Sequence, residues 1–251
     1  PAFFPVFLQP QRLLKHWKRP TGKSLLMLLC CVPLLLLNQP SAAIPASTEH
    51  WHFKAFIDDR EVGYHSFDVT RDGRSIYLSS RADFEYRLLR VPLFSYSHEV
   101  QERYDENLCL EFIASTTETR REKLTVNGER TKHGFTVNTI DGESTRDFDV
   151  TCLTTFAYWS PKLLTQTQLL NGQDGRLMPV TIEPVGSTST NDGSQRSYRL
   201  QAESLDLILH YSANGQWLGL ESLLPAGRRL IYKLERYRTA AAGQKRSALK
   251  P

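Results

Sequence analysis

The feature that most constrains this chain is an apolar/polar alternation of period two, repeated from strand-length run to strand-length run. In RSIYLSSRADFEY (74–86), Ile76, Leu78, Ala82, Phe84 and Tyr86 fall on one face. Tyr77, Ser79, Arg81, Asp83 and Glu85 fall on the other. Successive side chains of a strand point to opposite faces, so this segment is a strand with one wet side. SYSHEVQERY (95–104), EKLTVNG (122–128), RSYRLQAE (196–203), LDLILHYS (205–212), QWLGLESLL (216–224) and RRLIYKLERY (228–237) repeat the design. Turn formers stand between them: RDGR (71–74), VNGE (126–129), IDGE (140–143), NDGS (191–194), ANGQ (213–216) and PAGR (225–228). Asn-Gly and Asp-Gly accept the positive φ of tight hairpin turns, and strands joined that way are antiparallel neighbours. No stretch after the first 43 residues carries a helical stripe. The expected fold is all-β: an antiparallel meander of about a dozen strands, forming a curved sheet or barrel around a candidate cavity.

The first 43 residues are of another kind. Arg12, Lys15, Lys18, Arg19 and Lys23 form a basic run without an acid, SLLMLLCCVPLLLLN (24–38) follows, and then QPSAAIPA (39–46). Basic, apolar and small-residue segments in that order describe a secretory signal peptide, with cleavage expected after Ala43. As a transmembrane anchor the apolar run is short of the ~20 residues that span a bilayer, and Pro33 interrupts it. Cys30 and Cys31 lie deep inside it and do not follow a small-residue lipobox. The expected organisation is therefore a cleaved leader (1–43), one all-β domain (44–238) and a basic disordered tail (239–251). No transmembrane anchor is expected after cleavage, and the location is periplasmic or secreted, in keeping with Gram-negative export.

The leader also decides the charge argument. It holds five of the 31 Lys and Arg and none of the 27 Asp and Glu, so the net charge of +4 becomes −1 without it. Nucleic-acid binding needs a basic patch on the folded domain, and that support disappears. Two cysteines remain, Cys109 and Cys152. In an oxidising compartment a lone pair most often closes a disulfide. Two buried thiols, or a reactive Cys with a His partner, are the alternatives.

GxSxG, HExxH, a phosphate loop and GxGxxG after a strand are all missing. The most informative cluster is in SYSHEVQERY, where Tyr96, His98, Val100, Glu102 and Tyr104 share one face and Ser97, Glu99, Gln101 and Arg103 the other. The second face is uniformly polar and meets water, so His98 and Glu102 point inward. A buried carboxylate is costly unless paired or hydrogen-bonded. Such a set either holds a ligand's polar end, acts as an acid–base pair, or forms a network that fixes register. His65 shares parity with Gly63, Phe67 and Val69 and also faces inward. No ligand spacing supports a metal at His65, His98 and Glu102, and neither a metal nor a cofactor is expected. Tyr158 and Trp159, in CLTTFAYWSP (152–161), are large amphipathic rings on a segment that Pro161 interrupts, suited to capping one mouth of the sheet.

Taken in order, Gly63-x-His65-x-Phe67, Tyr96-x-His98-x-x-x-Glu102-x-Tyr104, Cys152-x6-Trp159, LLNGQDG (169–175) and Tyr232-Lys233-Leu234 resemble an exported bacterial group. That group is catalogued as domain of unknown function 6134, and the resemblance spans roughly residues 51–236. It implies an all-β envelope protein and names no reaction.

The leading expectation is an exported protein that binds an apolar or amphipathic, lipid-like ligand within its sheet. Tyr96, His98, Glu102, His65, Tyr158 and Trp159 are the candidate contacts, and inward aromatics form the walls. An envelope protein–protein interaction module, using a sheet edge or the Tyr158–Trp159 stretch, is the alternative. A hydrolase or lyase with His98 as base, oriented by Glu102, is the second alternative.

Overall fold

The computed structural model describes residues 46–88, 91–139, 144–190, 193–203, 205–224 and 227–241. The leader, most of the tail, the turn expected at 140–143, and parts of those expected at 191–194 and 225–228 lie outside the described residues. Eight strands come first: β1 (Ser47–Ile57), β2 (Arg60–Asp72), β3 (Ser75–Leu88), β4 (Val91–Asp105), β5 (Leu110–Thr119), β6 (Lys123–Thr131), β7 (Gly134–Thr139) and β8 (Thr145–Phe148). A 3-10 helix (Pro161–Thr165) and the short strands β9 (Gln168–Leu170) and β10 (Leu177–Pro179) follow. The chain ends with β11 (Thr181–Thr190), β12 (Gly193–Ala202), β13 (Leu205–Ser212), β14 (Trp217–Leu223) and β15 (Arg229–Ala241). Among the described residues no helix is long and apolar enough to cross a membrane.

Thirteen strands form one antiparallel sheet in the order β11-β12-β13-β14-β15-β1-β2-β3-β4-β5-β6-β7-β8. Within this sheet, paired strands are consecutive in sequence everywhere except at β15–β1, where the last and first strands pair along their whole length, from Ser47–Ala241 to Ile57–Leu230. The edges, β11 and β8, do not pair with each other, so the sheet is strongly curved and not closed. Its curvature can be read from two rings. Phe84 on β3 and Tyr232 on β15 have β1 and β2 between them, which in a flat sheet separates them by about 14 Å. Their centroids are 6.0 Å apart. Register breaks at His52/Phe53 and Ala55/Phe56 of β1 supply two of the bends, since an extra residue on one strand increases local twist.

The alternation puts Trp51, Phe53, Phe67, Leu78, Phe84, Leu207, Leu209, Tyr211, Trp217 and Leu220 on the concave side, all buried. Between β8 and β11 the chain passes through that concavity. Leu153, Leu163, Leu169 and Leu170 are buried there. The Leu110 N–H donates to the Leu153 carbonyl, and the Leu170 N–H to the Thr154 carbonyl. Cys109 and Cys152 form a disulfide that closes 43 residues and fixes the start of this inner segment to β5, Cα to Cα 4.8 Å.

Three details differ from the sequence reading. Asn127-Gly128 is not a turn but the middle of β6, opposite Ala114 and Ile113. A Cβ at Gly128 would lie 2.6 Å from the Phe135 ring, so the glycine makes room for that side chain. The polar, Gly- and Ser-rich stretch 184–195, which reads in the sequence as an exposed hairpin loop, is largely the paired arms of β11 and β12, exposed on both faces, with backbone pairing holding what apolar burial does not. β15 runs to Ala241 because β1 gives it a partner throughout.

Candidate functional site

The concave faces of β2, β3 and β4 line up in rows. His65, Ala82 and His98 are cross-strand neighbours in one row, with Gly63, Phe84 and Tyr96 in the next. Small side chains at Ser80 and Ala82, among aromatics, leave space. A cavity of about 220 Å³ opens there. The sheet supplies one wall, including His65, Phe67, Phe84, Tyr96, His98 and Glu102. Facing it are Tyr232 on β15, Leu207 and Leu220 further round the sheet, and Thr155, Tyr158, Asn171 and Arg176 from the inner segment.

His65 stacks on Phe67 at 4.0 Å, with Nε2 2.8 Å from Ser80 Oγ and Nδ1 3.2 Å from Tyr232 Oη. Burial, reinforced by the nearby His98, drives its pKa well below that of an ordinary histidine. His98 Nδ1 lies 2.9 Å from Thr117 Oγ1, and burial lowers its pKa to about 4. Both rings are therefore neutral at physiological pH.

Glu102 is only 5 % exposed. Tyr104 Oη donates to its Oε2 at 2.5 Å and is itself 2.7 Å from Thr155 Oγ1. No cation among the described residues pairs with it, and burial raises its pKa to about 7 against the hydrogen bonds from Tyr104 and Thr155. Among the described residues Arg176 is the one arginine or lysine that lines the cavity, and it is bound to Asp174 at 2.8 Å and Glu203 at 3.8 Å.

The structure thus brings His65, Tyr96, His98, Glu102 and Tyr158 together around one cavity. Trp159 is not among its lining residues. It is buried against Tyr104 at 5.9 Å, with the Arg71 guanidinium 5.6 Å from its ring. Tyr158 and Trp159 part company because they are the two central residues of a turn, closed by the Ser160 N–H on the Ala157 carbonyl, and their side chains leave it in different directions. The segment also does not simply cap the sheet: it packs inside it, Tyr158 accepting a hydrogen bond on its carbonyl from Tyr211 Oη at 2.7 Å.

Nor are His98 and Glu102 a dyad. Four residues apart on one strand, their Cα atoms are separated by roughly 13 Å. His98 is held by Thr117 and Glu102 by Tyr104, so the carboxylate does not orient the imidazole. Among the described residues no three His, Cys, Asp or Glu converge to hold a metal ion.

Sequence reasoning did not pick out Ser80, Thr155, Tyr232 or Arg176 as site residues. For Ser80 a signal existed, a small inward residue between Leu78 and Phe84. Thr155 and Arg176 carry none, because their place depends on how the inner segment threads the sheet.

No curated protein matches the chain. Among solved structures it is similar to a β-barrel-like protein of domain of unknown function DUF1849 from Brucella abortus, with a TM-score of 0.59. That match is 9 % identical and covers 78 % of this chain and 99 % of that one, a likeness of fold alone. The family profile described as domain of unknown function (DUF6134) matches residues 53–235, nearly the whole described sheet. The chain belongs to that family.

Proposed function

We propose that this protein binds a small apolar or amphipathic molecule within its curved sheet, in an exported location where the Cys109–Cys152 disulfide is stable. The observation that carries this reading is the cavity itself, apolar-walled with a few convergent polar groups, the usual pattern of a small-molecule site. Its size limits the ligand. At about 220 Å³ it lies just below the roughly 300–1,000 Å³ of typical ligand pockets, which fits one chain or ring system and not a diacyl lipid. The aromatic and aliphatic walls take the apolar part, and His65, His98 and Glu102 take the polar end.

Organic extraction of protein purified from its native host, followed by mass spectrometry, tests this, together with titration of a fluorescent aliphatic probe. A stoichiometric small molecule or saturable probe uptake is expected. An empty extract with no probe uptake would sink the proposal.

The free edges of β11 and β8 favour a second reading, docking of an envelope protein by strand addition. Against it, the large exposed apolar side chains among the described residues, Tyr77, Phe112, Val185 and Leu223, are few and spread over four different strands.

A further inference from the structure

Resting on the amphiphile reading of the cavity, we infer that its ligand carries an uncharged hydroxyl head, an alcohol, at the Glu102 end. The charges lining the cavity argue against an anionic head. Among the described lining residues Glu102 and Arg176 are the two of charged type, beside two histidines held neutral. Arg176 is bound to Asp174 and Glu203, and it lies at the β9–β10 turn, not beside Glu102. A carboxylate or phosphate arriving at Glu102 would lose its hydration and meet a carboxyl group in return.

The hydrogen-bond chain argues for a hydroxyl. Tyr104 donates to Glu102 Oε2, and Thr155 lies 2.7 Å from the Tyr104 hydroxyl and also hydrogen-bonds the carboxyl, so the network ends on Glu102. What the chain presents to the cavity is the free valence of Glu102: an acceptor when ionised, a donor when protonated. An anion is satisfied by one of those states and an ammonium by the other. A hydroxyl both donates and accepts, so it is satisfied by either. Above it, Phe67, Phe84, Tyr96 and Leu207 supply an apolar wall for the chain that bears it.

The test is competition by decanol, decanoate and decylamine against N-phenylnaphthylamine, an uncharged fluorescent probe, bound to the full domain at neutral pH. Decanol is expected to displace the probe at about tenfold lower concentration than either charged analogue. Glu102→Gln, which keeps a donor and an acceptor without charge, should hold decanol and narrow the gap to decanoate. Glu102→Leu should lose the preference for decanol while still binding the probe. Decanoate or decylamine matching decanol on the unaltered protein would overturn the alcohol assignment and leave the amphiphile reading standing. Failure of the protein to bind the probe or any of the three would overturn both. The ranking on the unaltered protein does not depend on how the variants fold.

Discussion

Tyr104 and Glu102, two residues apart on β4, point the same way and share a 2.5 Å hydrogen bond inside the sheet. The phenol compensates a carboxyl group that has no cationic partner among the described residues. In Tyr104→Phe that donor is gone, and the variant should lose about 1–3 kcal/mol of stability, the usual cost of leaving a buried polar group unsatisfied. The loss should be larger above pH 7, where Glu102 is ionised, than below 4.5. Urea denaturation at the two extremes measures it, and equal losses would mean the bond does not serve the charged form.

Glu102 itself makes stability depend on pH. Its folded pKa is about 7 against an ordinary 4.5, so between those values the folded protein holds a proton that the unfolded chain releases. This contribution weakens the fold as pH rises through that window and levels off above it, by about 3 kcal/mol in all. Glu102→Gln removes the dependence and should be more stable than the parent above pH 7. A constant difference between the two proteins across the window would count against a raised pKa.

The histidines act in the opposite sense. Burial keeps His98 neutral down to about pH 4, while the unfolded chain takes up its proton near 6.5. Stability is therefore lost as pH falls from 6.5 to 4, and His65 adds to the loss. Glu102 offsets one histidine over the overlapping range, so the parent protein loses stability with acid overall. His98→Gln leaves His65 and Glu102 nearly balanced, and its midpoint should be nearly flat between pH 4.5 and 6.5. A profile as steep as the parent's would show that His98 is not the residue being protonated.

The period-two pattern made β3, β4, β13, β14 and β15 legible, and with parity it turned His65, Tyr96, His98 and Glu102 toward one side. Which of them meet was not legible. His98 and Glu102 look like partners on paper but lie along a strand; His98 finds its partner on the neighbouring strand, in Thr117, and Glu102 two residues along its own, in Tyr104. The inner segment was the harder part. Residues 150–180 are read by contacts to strands far apart in sequence, Ser115 with Gly172 and Tyr211 with Tyr158, and no local pattern encodes those. Glycine misled at one position and informed at others: Gly128 fits beneath Phe135 in the middle of a strand, whereas Gly73 and Gly215 do make the turns their neighbours announce.

Gly63 shows why a glycine opens the Gly-x-His-x-Phe strand. Its φ is +148°, beside the register break in β1, and a Cβ there would lie 1.9 Å from the Asp83 carbonyl oxygen. Neither β2 nor β3 can yield without losing ladder hydrogen bonds that seat His65. Gly63→Ala should cost about 3 kcal/mol or more, strain and overpacking together. Gly73→Ala, with positive φ but open space, should cost only about 1–2 kcal/mol. Thermal unfolding of the two variants side by side separates the causes, and equal losses would assign both to backbone conformation alone.

The disulfide ties the inner segment to the sheet at the point where the Leu110 N–H meets the Leu153 carbonyl at 2.6 Å. Closing a 43-residue loop restricts the unfolded chain by about 4 kcal/mol in the chain-entropy account. The double variant Cys109→Ser, Cys152→Ser should lose an amount of that order, and reducing the parent protein should reproduce it. Loss of the tie should also be felt along the cavity wall. Amides of Leu153 and of Leu170, which bonds to Thr154, should exchange faster than those of β1 and β15, whose pairing does not pass through the bridge. Stability indifferent to reductant would mean that the two sulfurs are not joined in solution. A stability loss with uniform exchange would mean that the bridge acts only on the unfolded chain.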